Sequence, residues 1–157
     1  MTVAFDTNVL IYAIDTAAGP RHASAGALIE RLLLGERGIL ILQTMSEFYS
    51  VATGKLRIRS RDALLFLDEL RAVLAVHAAD ERDFDRATSG EGGGLSFWDA
   101  LIWATADRVG VRYLLTEDFQ DGRVLGGVTF VDPFEDHNRA LLSRILPSTG
   151  DEASGPA

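Results

Sequence analysis

Short apolar runs alternate along this chain with longer segments in which apolar residues recur at helical spacing. The runs cover residues 3–5, 38–42, 112–115 and 128–131, and runs of this length predict buried strands. Helical spacing is seen at Ala25, Leu28, Ile29, Leu32 and Leu33, and again at Ala63, Leu67, Leu70 and Leu74. Strands that alternate with helices predict an α/β fold, here a three-layer α/β/α sandwich with a mainly parallel central sheet.

Residues that favour helix ends mark the limits of several helices. Pro20 suits the first position of a helix and Gly35 suits its end, while Ser60 suits the beginning of another helix. Further segments with helical spacing lie at 80–88, 96–108 and 135–145.

The composition is that of an ordinary globular protein. The 157 residues predict one domain, and 47% hydrophobic with 24% charged residues is not a disordered composition. The chain has no cysteine, which excludes disulfides, thiolate metal sites and cysteine nucleophiles. A net charge of −8 argues against a uniformly basic surface that coats nucleic acid, but a local basic patch or a metal still permits binding. The sequence shows no membrane-spanning run and no signal peptide, so we expect a cytoplasmic protein.

Four acidic residues follow strands or begin the helices after them. Asp6 directly follows the first strand, and Asp118 follows the third. Glu47 lies early in the helix after the second strand, and Asp99 begins a later helix. Ligands of open α/β sheets bind beyond the carboxyl ends of the strands, so these four positions are candidate functional residues.

Helix capping is the alternative explanation for two of these acids. Thr44 with Glu47, and Ser96 with Asp99, each form a capping-box pattern in which the acid reaches back to the backbone. Such acids also interact favourably with the helix dipole. Capping alone would therefore explain both residues.

Asp6 has no capping pattern and interrupts an apolar run, where an unpaired charge is costly to bury. Asn8 is able to satisfy it through turn hydrogen bonds, which is the purely structural explanation. If the four carboxylates instead converge, their mutual repulsion requires a cation. Oxygen ligands favour magnesium or manganese over zinc, and such ions activate water and stabilise a phosphodiester during cleavage. The chemistry predicted by convergence is metal-assisted hydrolysis.

The acids stand in four motifs: FDTN at Asp6, SEF at Glu47, FWDALI at Asp99 and LLTED at Asp118. Together these motifs resemble the signature of the PIN-domain family, and the length and spacing are similar to those of stand-alone VapC-type toxins. The resemblance implies an endoribonuclease that depends on Mg²⁺, with Mn²⁺ as a substitute, and forms the toxin half of a toxin–antitoxin pair. It also implies homodimerisation and an antitoxin whose C-terminal segment covers the active site.

The resemblance assigns roles to single positions. Asp6 and Asp99 match the acids that hold metal most directly, and Glu47 and Asp118 complete the acidic set. The positions that match residues orienting a carboxylate, a water or a phosphate are Asn8 and Thr116. Glu117 stands beside Asp118, and the T-x-D spacing of the family favours Asp118 as the fourth acid.

The resemblance covers a PIN-like nuclease domain over residues 1–135. A helical extension is expected over 136–146, and the composition of 147–157 predicts a disordered tail. An antitoxin is expected to place a basic residue in the acidic cleft, because carboxylates without their metal attract a guanidinium strongly.

A basic run and two tryptophans are candidate contacts with RNA. The basic residues of the run KLRIRSR are Lys55, Arg57, Arg59 and Arg61. They either bind RNA phosphates or form a solvated loop between two helices. Trp98 and Trp103 flank Asp99, and of the two alternatives for them, base stacking and a place in the core, the core is expected.

Two other functional classes fit part of the pattern. A phosphatase of the haloacid dehalogenase type also carries an Asp after its first strand, but it requires an acid where this chain has Asn8. It also requires a downstream lysine, whereas the single lysine, Lys55, precedes the later acids. A PIN-like module without turnover would bind RNA or protein through the same cleft, and the presence of all four acids disfavours it. The three histidines share no motif, so neither a zinc site nor a Ser-His-Asp triad is predicted.

Overall fold

The computed structural model describes residues 2–35 and 37–146. The strands are β1 (Thr2–Phe5), β2 (Ile39–Ile41), β3 (Ala75–His77), β4 (Val111–Leu115), β5 (Val124–Leu125) and β6 (Val128–Val131). The helices are α1 (Thr7–Ile14), α2 (Pro20–Gly35), α3 (Leu42–Thr53), α4 (Ser60–Val73), α5 (Glu81–Thr88), α6 (Phe97–Arg108) and α7 (Arg139–Ile145). A 3₁₀ turn at Asp136–Asn138 precedes α7.

Most strand pairs are parallel. β4 lies between β1 and β6 and is parallel to both, β2 is parallel to β3, and β5 is antiparallel to β6. A parallel bridge between Val3 and Gly38 joins β1 to the segment that enters β2, and the Val3 N–H donates to the Arg37 carbonyl across 2.9 Å. The prediction of a mainly parallel sheet is confirmed.

Alternate residues of β1, β2, β4 and β6 pack into two separate cores. Val3 and Phe5 of β1 pack with α1–α4 and α7 on one face, whereas Ala4 packs with α6 on the other. In β4, Leu115 belongs to the first core and Leu114 to the second. Burial on both faces explains why the strands appear in the sequence as continuous apolar runs. The predicted three-layer α/β/α sandwich is confirmed.

Three elements were missed by the sequence-based prediction, namely α1, β3 and β5. The sequence of α1 is apolar almost throughout, so no polar face marks its helical period. β3 and β5 have three and two residues, too few for a recognisable strand pattern. They are specified by pairing with β2 and β6, which is a tertiary property.

The predicted helix ends agree with the structure at three positions. α2 begins at Pro20 and ends at Gly35, and α4 begins at Ser60. The strand predicted at 38–42 is shorter, because α3 begins at Leu42 directly after β2.

The C-terminal helix α7 closes the first core. Leu142 and Ile145 are buried there, and Arg31 of α2 donates to the carbonyl groups of Leu142 and Leu146. The tail predicted at 147–157 lies outside the described residues. In the described part of the chain, no helix combines the length and the apolarity needed to cross a membrane.

Candidate active site

The four acids line one cavity at the edge of the sheet where β1 and β4 end. The cavity has a volume of about 390 Å³ and is lined by Asp6, Thr7, Asn8, Glu47, Ser50, Val51, Asp99 and Asp118. Asp6 follows β1, Glu47 lies on α3, Asp99 lies in the first turn of α6, and Asp118 follows β4. Parallel strands end at a common edge, which is why residues distant in sequence meet here.

Asp6 is buried, at 5% exposure, and is the N-cap residue of helix α1. Its Oδ1 accepts a hydrogen bond from the Thr7 N–H at 2.7 Å, and its Oδ2 accepts one from Thr116 Oγ1 at 2.8 Å. Burial raises the pKa of Asp6 to about 6, and the charges of Asp118 and Asp99 also raise it, while the two hydrogen bonds oppose them. The expectation that Asp6 has no capping role is wrong, because the apolar helix α1 was not anticipated.

Asp118 is held by two polar neighbours. Asn8 Nδ2 donates to Asp118 Oδ2 across 2.6 Å, and the Asp118 N–H donates to Thr116 Oγ1 across 3.1 Å. Burial raises the pKa of Asp118, and the charges of Glu117 and Asp99 raise it further. The structural explanation in which Asn8 satisfies the acid two residues before it is wrong, since its side chain reaches the segment after β4 instead.

Glu117, the neighbour of Asp118, is bound on the outside of the cavity. Its carboxylate accepts hydrogen bonds from the Tyr12 hydroxyl and from Arg21 Nε, the latter across 3.1 Å. The hydrogen bond with Glu117 raises the pKa of Tyr12 to about 12. The Arg21 guanidinium also lies 5.6 Å from the Tyr12 ring centre and 5.0 Å from that of Phe134. Of the two adjacent acids, therefore, it is Asp118 that faces the cavity.

Glu47 is oriented by hydrogen bonds from two elements. Thr7 Oγ1 donates to Glu47 Oε2 across 2.9 Å, and Gln43 Nε2 donates to Oε1 across 2.8 Å. The capping box predicted for Thr44 and Glu47 is wrong, because α3 begins at Leu42 and Thr44 is inside the helix. The position of Glu47 is thus explained by its contacts in the cavity and not by capping.

Asp99 shows half of the predicted capping pattern. Ser96 caps α6, since its Oγ accepts from the Asp99 N–H at 3.2 Å. The same hydroxyl donates to Asp99 Oδ2 across 2.8 Å. The carboxylate thus receives the serine hydroxyl and also lines the cavity.

The residues present suit a hard divalent cation. Of the described residues that line the cavity, four are carboxylates and none is lysine or arginine. Within 2–35 and 37–146, no group of three or more His, Cys, Asp or Glu side chains is arranged to hold a metal ion. Mg²⁺, however, usually takes one or two carboxylates and completes its shell with water and substrate phosphates. The oxygen-only donor set and the buried Asp6 therefore fit a hydrated cation of this kind.

The basic run lies beside the cavity and not in its wall. Its four basic residues, Lys55, Arg57, Arg59 and Arg61, are exposed. The Leu56 N–H donates to the Val51 carbonyl across 3.1 Å, and Val51 lines the cavity, so the loop folds back on the last turn of α3. Arg59 forms an ion pair with Asp62 across 2.7 Å.

The two tryptophans occupy different environments. Trp103 is 1% exposed and lies in the core, as predicted. Trp98 is 61% exposed, so the prediction of a core position for it is wrong. Trp98 lies in the first turn of α6, directly before Asp99, whereas Trp103 lies in the middle of the helix, where packing covers it.

Several residues of the site were missed by sequence reasoning: Thr7, Tyr12, Arg21, Gln43, Ser50 and Val51. A usable signal existed for some of them. Gln43 and Ser50 lie four residues before and three residues after Glu47, a spacing that places side chains on one helix face. Thr7 directly follows Asp6. Tyr12 and Arg21 gave no signal, because their contact with Glu117 joins parts of the chain about 100 residues apart.

Solved structures share this fold. The chain is similar to VapC20 of Mycobacterium tuberculosis, described as a sarcin–ricin loop cleaving toxin, with 17% identity, a TM-score of 0.58, and coverage of 74% of this chain and 90% of that one. It is also similar to VapBC2 of Rickettsia felis, solved with a promoter DNA fragment, with 16% identity, a TM-score of 0.54, and coverage of 83% and 97%. A search of curated proteins found no match.

The family is given by a comparison of sequence. The model of the PIN domain matches residues 3–122, a range that contains all four acids of the cavity. The chain therefore belongs to the PIN domain family.

Proposed function

We propose that this protein is a metal-dependent endoribonuclease and the toxin of a VapC-type toxin–antitoxin pair. The observation that carries the proposal is that four carboxylates from four parts of the fold line one cavity. Among the described residues that line this cavity, none is lysine or arginine. Membership of the PIN domain family supports it, as does the shared fold with two VapC structures. The substrate is RNA, and the proposed location is the cytoplasm.

Asp6 and Asp99 would hold the cation most directly, and Glu47 and Asp118 complete the acidic set. The cation is Mg²⁺, with Mn²⁺ as a substitute. When bound, it would stabilise the charge of the phosphodiester and activate water for hydrolysis. Burial and repulsion among carboxylates raise the pKa values of Asp6 and Asp118, and a bound cation would oppose both effects by stabilising the charged carboxylates.

The neighbouring polar residues fix the carboxylates in place. Thr116 donates to Asp6 and accepts from the Asp118 backbone, so one hydroxyl sets the distance between two acids. Thr7 contributes its N–H to Asp6 and its hydroxyl to Glu47. Such outer contacts orient ligands before the metal arrives and lower the cost of binding it.

The basic loop is proposed to hold the RNA backbone beside the cavity. Lys55 and Arg57 are exposed, and their loop packs on the turn of α3 that carries Val51. Cationic side chains in this position would neutralise phosphates flanking the cleaved bond. Arg59 and Arg61 are assigned the same role.

The nuclease proposal is tested by cleavage of a fluorescently labelled RNA pool with Mg²⁺, Mn²⁺ or EDTA. We expect metal-dependent cleavage by the wild type and at least 100-fold loss in Asp6→Asn and Asp99→Asn, because the amide keeps the shape but not the charge. Asp68→Asn is the matched control, since Asp68 is an exposed acid paired with Arg71 on α4. No cleavage with any metal, together with no divalent binding by calorimetry, would replace catalysis with a binding function.

The toxin proposal is tested in growing bacteria. Induction of the wild type is expected to arrest growth, and induction of Asp6→Asn is not. An antitoxin that covers the cavity with a basic side chain should restore growth and should lose this effect when that side chain is changed to alanine. Light scattering of the purified protein tests the proposed homodimer.

A further inference from the structure

Three exposed aromatic side chains lie together around the beginning of helix α6. Trp98 is 61% exposed, Phe84 is 53% exposed and Phe97 is 36% exposed. The Phe97 ring lies 5.0 Å from the Trp98 ring and 5.9 Å from the Phe84 ring, both in edge-to-face geometry. Single exposed apolar residues are common, but a cluster of three aromatic rings on the surface indicates a binding site.

Trp98 lines a second cavity, which lies next to the acid cavity. This cavity has a volume of about 370 Å³ and is lined by Gln43, Ser46, Glu47, Ser50 and Trp98. Glu47 and Ser50 also line the acid cavity, so the two cavities share a wall. Although four of its five lining residues are polar, the surface exposed in the second cavity is mostly apolar, whereas four carboxylates line the first.

Gln43 links the backbone of Trp98 to one of the acids, Glu47. Gln43 Nε2 donates to the Trp98 carbonyl across 3.1 Å and to Glu47 Oε1 across 2.8 Å. Trp98 also directly precedes Asp99 in the first turn of α6. The backbone that carries the Trp98 indole is thereby fixed beside the acids.

We propose that the Trp98 indole stacks on one base of single-stranded RNA, namely the nucleotide next to the phosphate that lies in the acid cavity. This inference rests on the proposed nuclease function. An apolar cavity beside an acidic one matches a nucleotide, whose flat base and charged phosphate need different surroundings. Aromatic stacking accepts every base, so the site would contribute affinity and position rather than strict sequence readout.

The test compares the wild type and Trp98→Ala on intact RNA and on RNA that lacks one base, so that the effects of the side chain and the base are measured singly and together. The cleavage site of a short oligoribonucleotide is first mapped, and the bases flanking it are removed one at a time. Trp98→Ala is expected to raise KM about tenfold with kcat within about threefold, and Trp98→Phe to recover most of the loss. At one flanking position, removal of the base should raise the KM of the wild type about tenfold and leave the KM of Trp98→Ala unchanged.

Leu34→Ala is the matched control. Leu34 is 58% exposed and lies at the end of α2, which leads towards the edge where β2 begins, opposite the acids. The KM of the Leu34→Ala variant should equal that of the wild type. Additive losses at every abasic position, an unchanged KM in Trp98→Ala, or a defect confined to dimer or protein-partner binding would overturn the stacking site.

A binding measurement separates this proposal from the nuclease function. Stacking should quench the fluorescence of Trp98, measured as the signal of the wild type minus that of Trp98→Phe, when the oligoribonucleotide is added without divalent metal. If RNA is cleaved but this difference signal does not respond, the stacking site is wrong and the nuclease stands. If no RNA is cleaved but the signal saturates with RNA, the stacking site stands and the nuclease is wrong. If neither is observed, both are wrong.

Discussion

The side-chain amide of Asn8 donates a hydrogen bond to the Asp118 carboxylate across 2.6 Å, and so joins the first turn of α1 to the segment after β4. An acid at position 8 would place two carboxylates at this distance. We expect Asn8→Asp to lower the free energy of unfolding of the metal-free protein by about 1 kcal/mol at pH 7.5. Urea unfolding measures this. Mg²⁺ should reverse the loss in Asn8→Asp but not in Asn8→Ala, and equal recovery in both would contradict cation binding at this pair.

The raised pKa of Asp6 predicts that the free energy of unfolding increases as the pH falls from neutral towards 5. Its pKa rises from 3.8 to about 6 on folding, so between these values the folded protein binds the proton more tightly than the unfolded chain. Stability from this group is therefore gained as pH falls through about 6 and is lost as pH rises. We expect the metal-free protein to be more stable at pH 5 than at pH 7.5 by about 1 kcal/mol.

Asp6→Asn is the variant that tests this dependence. It should raise the free energy of unfolding at pH 7.5 by about 1–3 kcal/mol and have much less effect at pH 5. Part of the pH dependence should remain, because the pKa of Asp118 is also raised. Urea unfolding of both proteins at the two pH values gives the result, and a destabilised Asp6→Asn at pH 7.5 would show that its hydrogen bonds outweigh its burial.

Thr7 is expected to act on the reaction through Glu47. Thr7→Val keeps the backbone N–H that binds Asp6 but removes the hydroxyl that donates to Glu47 Oε2. Loss of such an orienting hydrogen bond should lower kcat about tenfold. Thr7→Ser restores the hydroxyl and should restore most of the activity. Steady-state cleavage at saturating metal measures kcat for both variants. Equal rates for Thr7→Val and the wild type would show that the hydrogen bond from Thr7 to Glu47 does not contribute to the reaction.

The adjacent acids Glu117 and Asp118 are expected to differ sharply. Asp118 lines the cavity, whereas Glu117 is bound by Tyr12 and Arg21. Asp118→Asn should therefore lose at least 100-fold in cleavage rate, and Glu117→Gln should stay within about fivefold of the wild type. Circular dichroism checks that both variants are folded. The reverse order of activities would assign the fourth acid to Glu117.

The basic loop predicts a salt dependence of RNA binding. Removing a cation that binds one phosphate should reduce the slope of log KM against log salt concentration by about 0.7 for single-stranded RNA. We expect Lys55→Gln and Arg57→Gln each to show a reduced slope. Arg139→Gln is the control, since Arg139 is an exposed cation paired with Asp136 near the C-terminal end. An unchanged slope in both loop variants would show that the loop does not bind RNA phosphates and is only a solvated connection between two helices.

The sequence by itself determined the layers of this fold and predicted which four acids lie together in one cavity. Continuous apolar runs predict strands buried on both faces, and this is how Val3, Ala4 and Phe5 divide between two cores. Helix ends at Pro20 and Gly35 were also correct, because proline and glycine act through their own backbone geometry. These properties are local, so a single sequence contains them.

Only the tertiary structure decided how each acid is held. Asp6 caps helix α1, which the sequence does not reveal because the helix is apolar almost throughout. Asn8 donates a hydrogen bond to Asp118 across the sheet edge, and Tyr12 binds Glu117 on the outside of the cavity. The exposure of Trp98 was likewise invisible in the sequence, since spacing along a helix does not show where packing ends. These contacts join residues brought together by strand order, and strand order depends on the free energy of the whole packed chain.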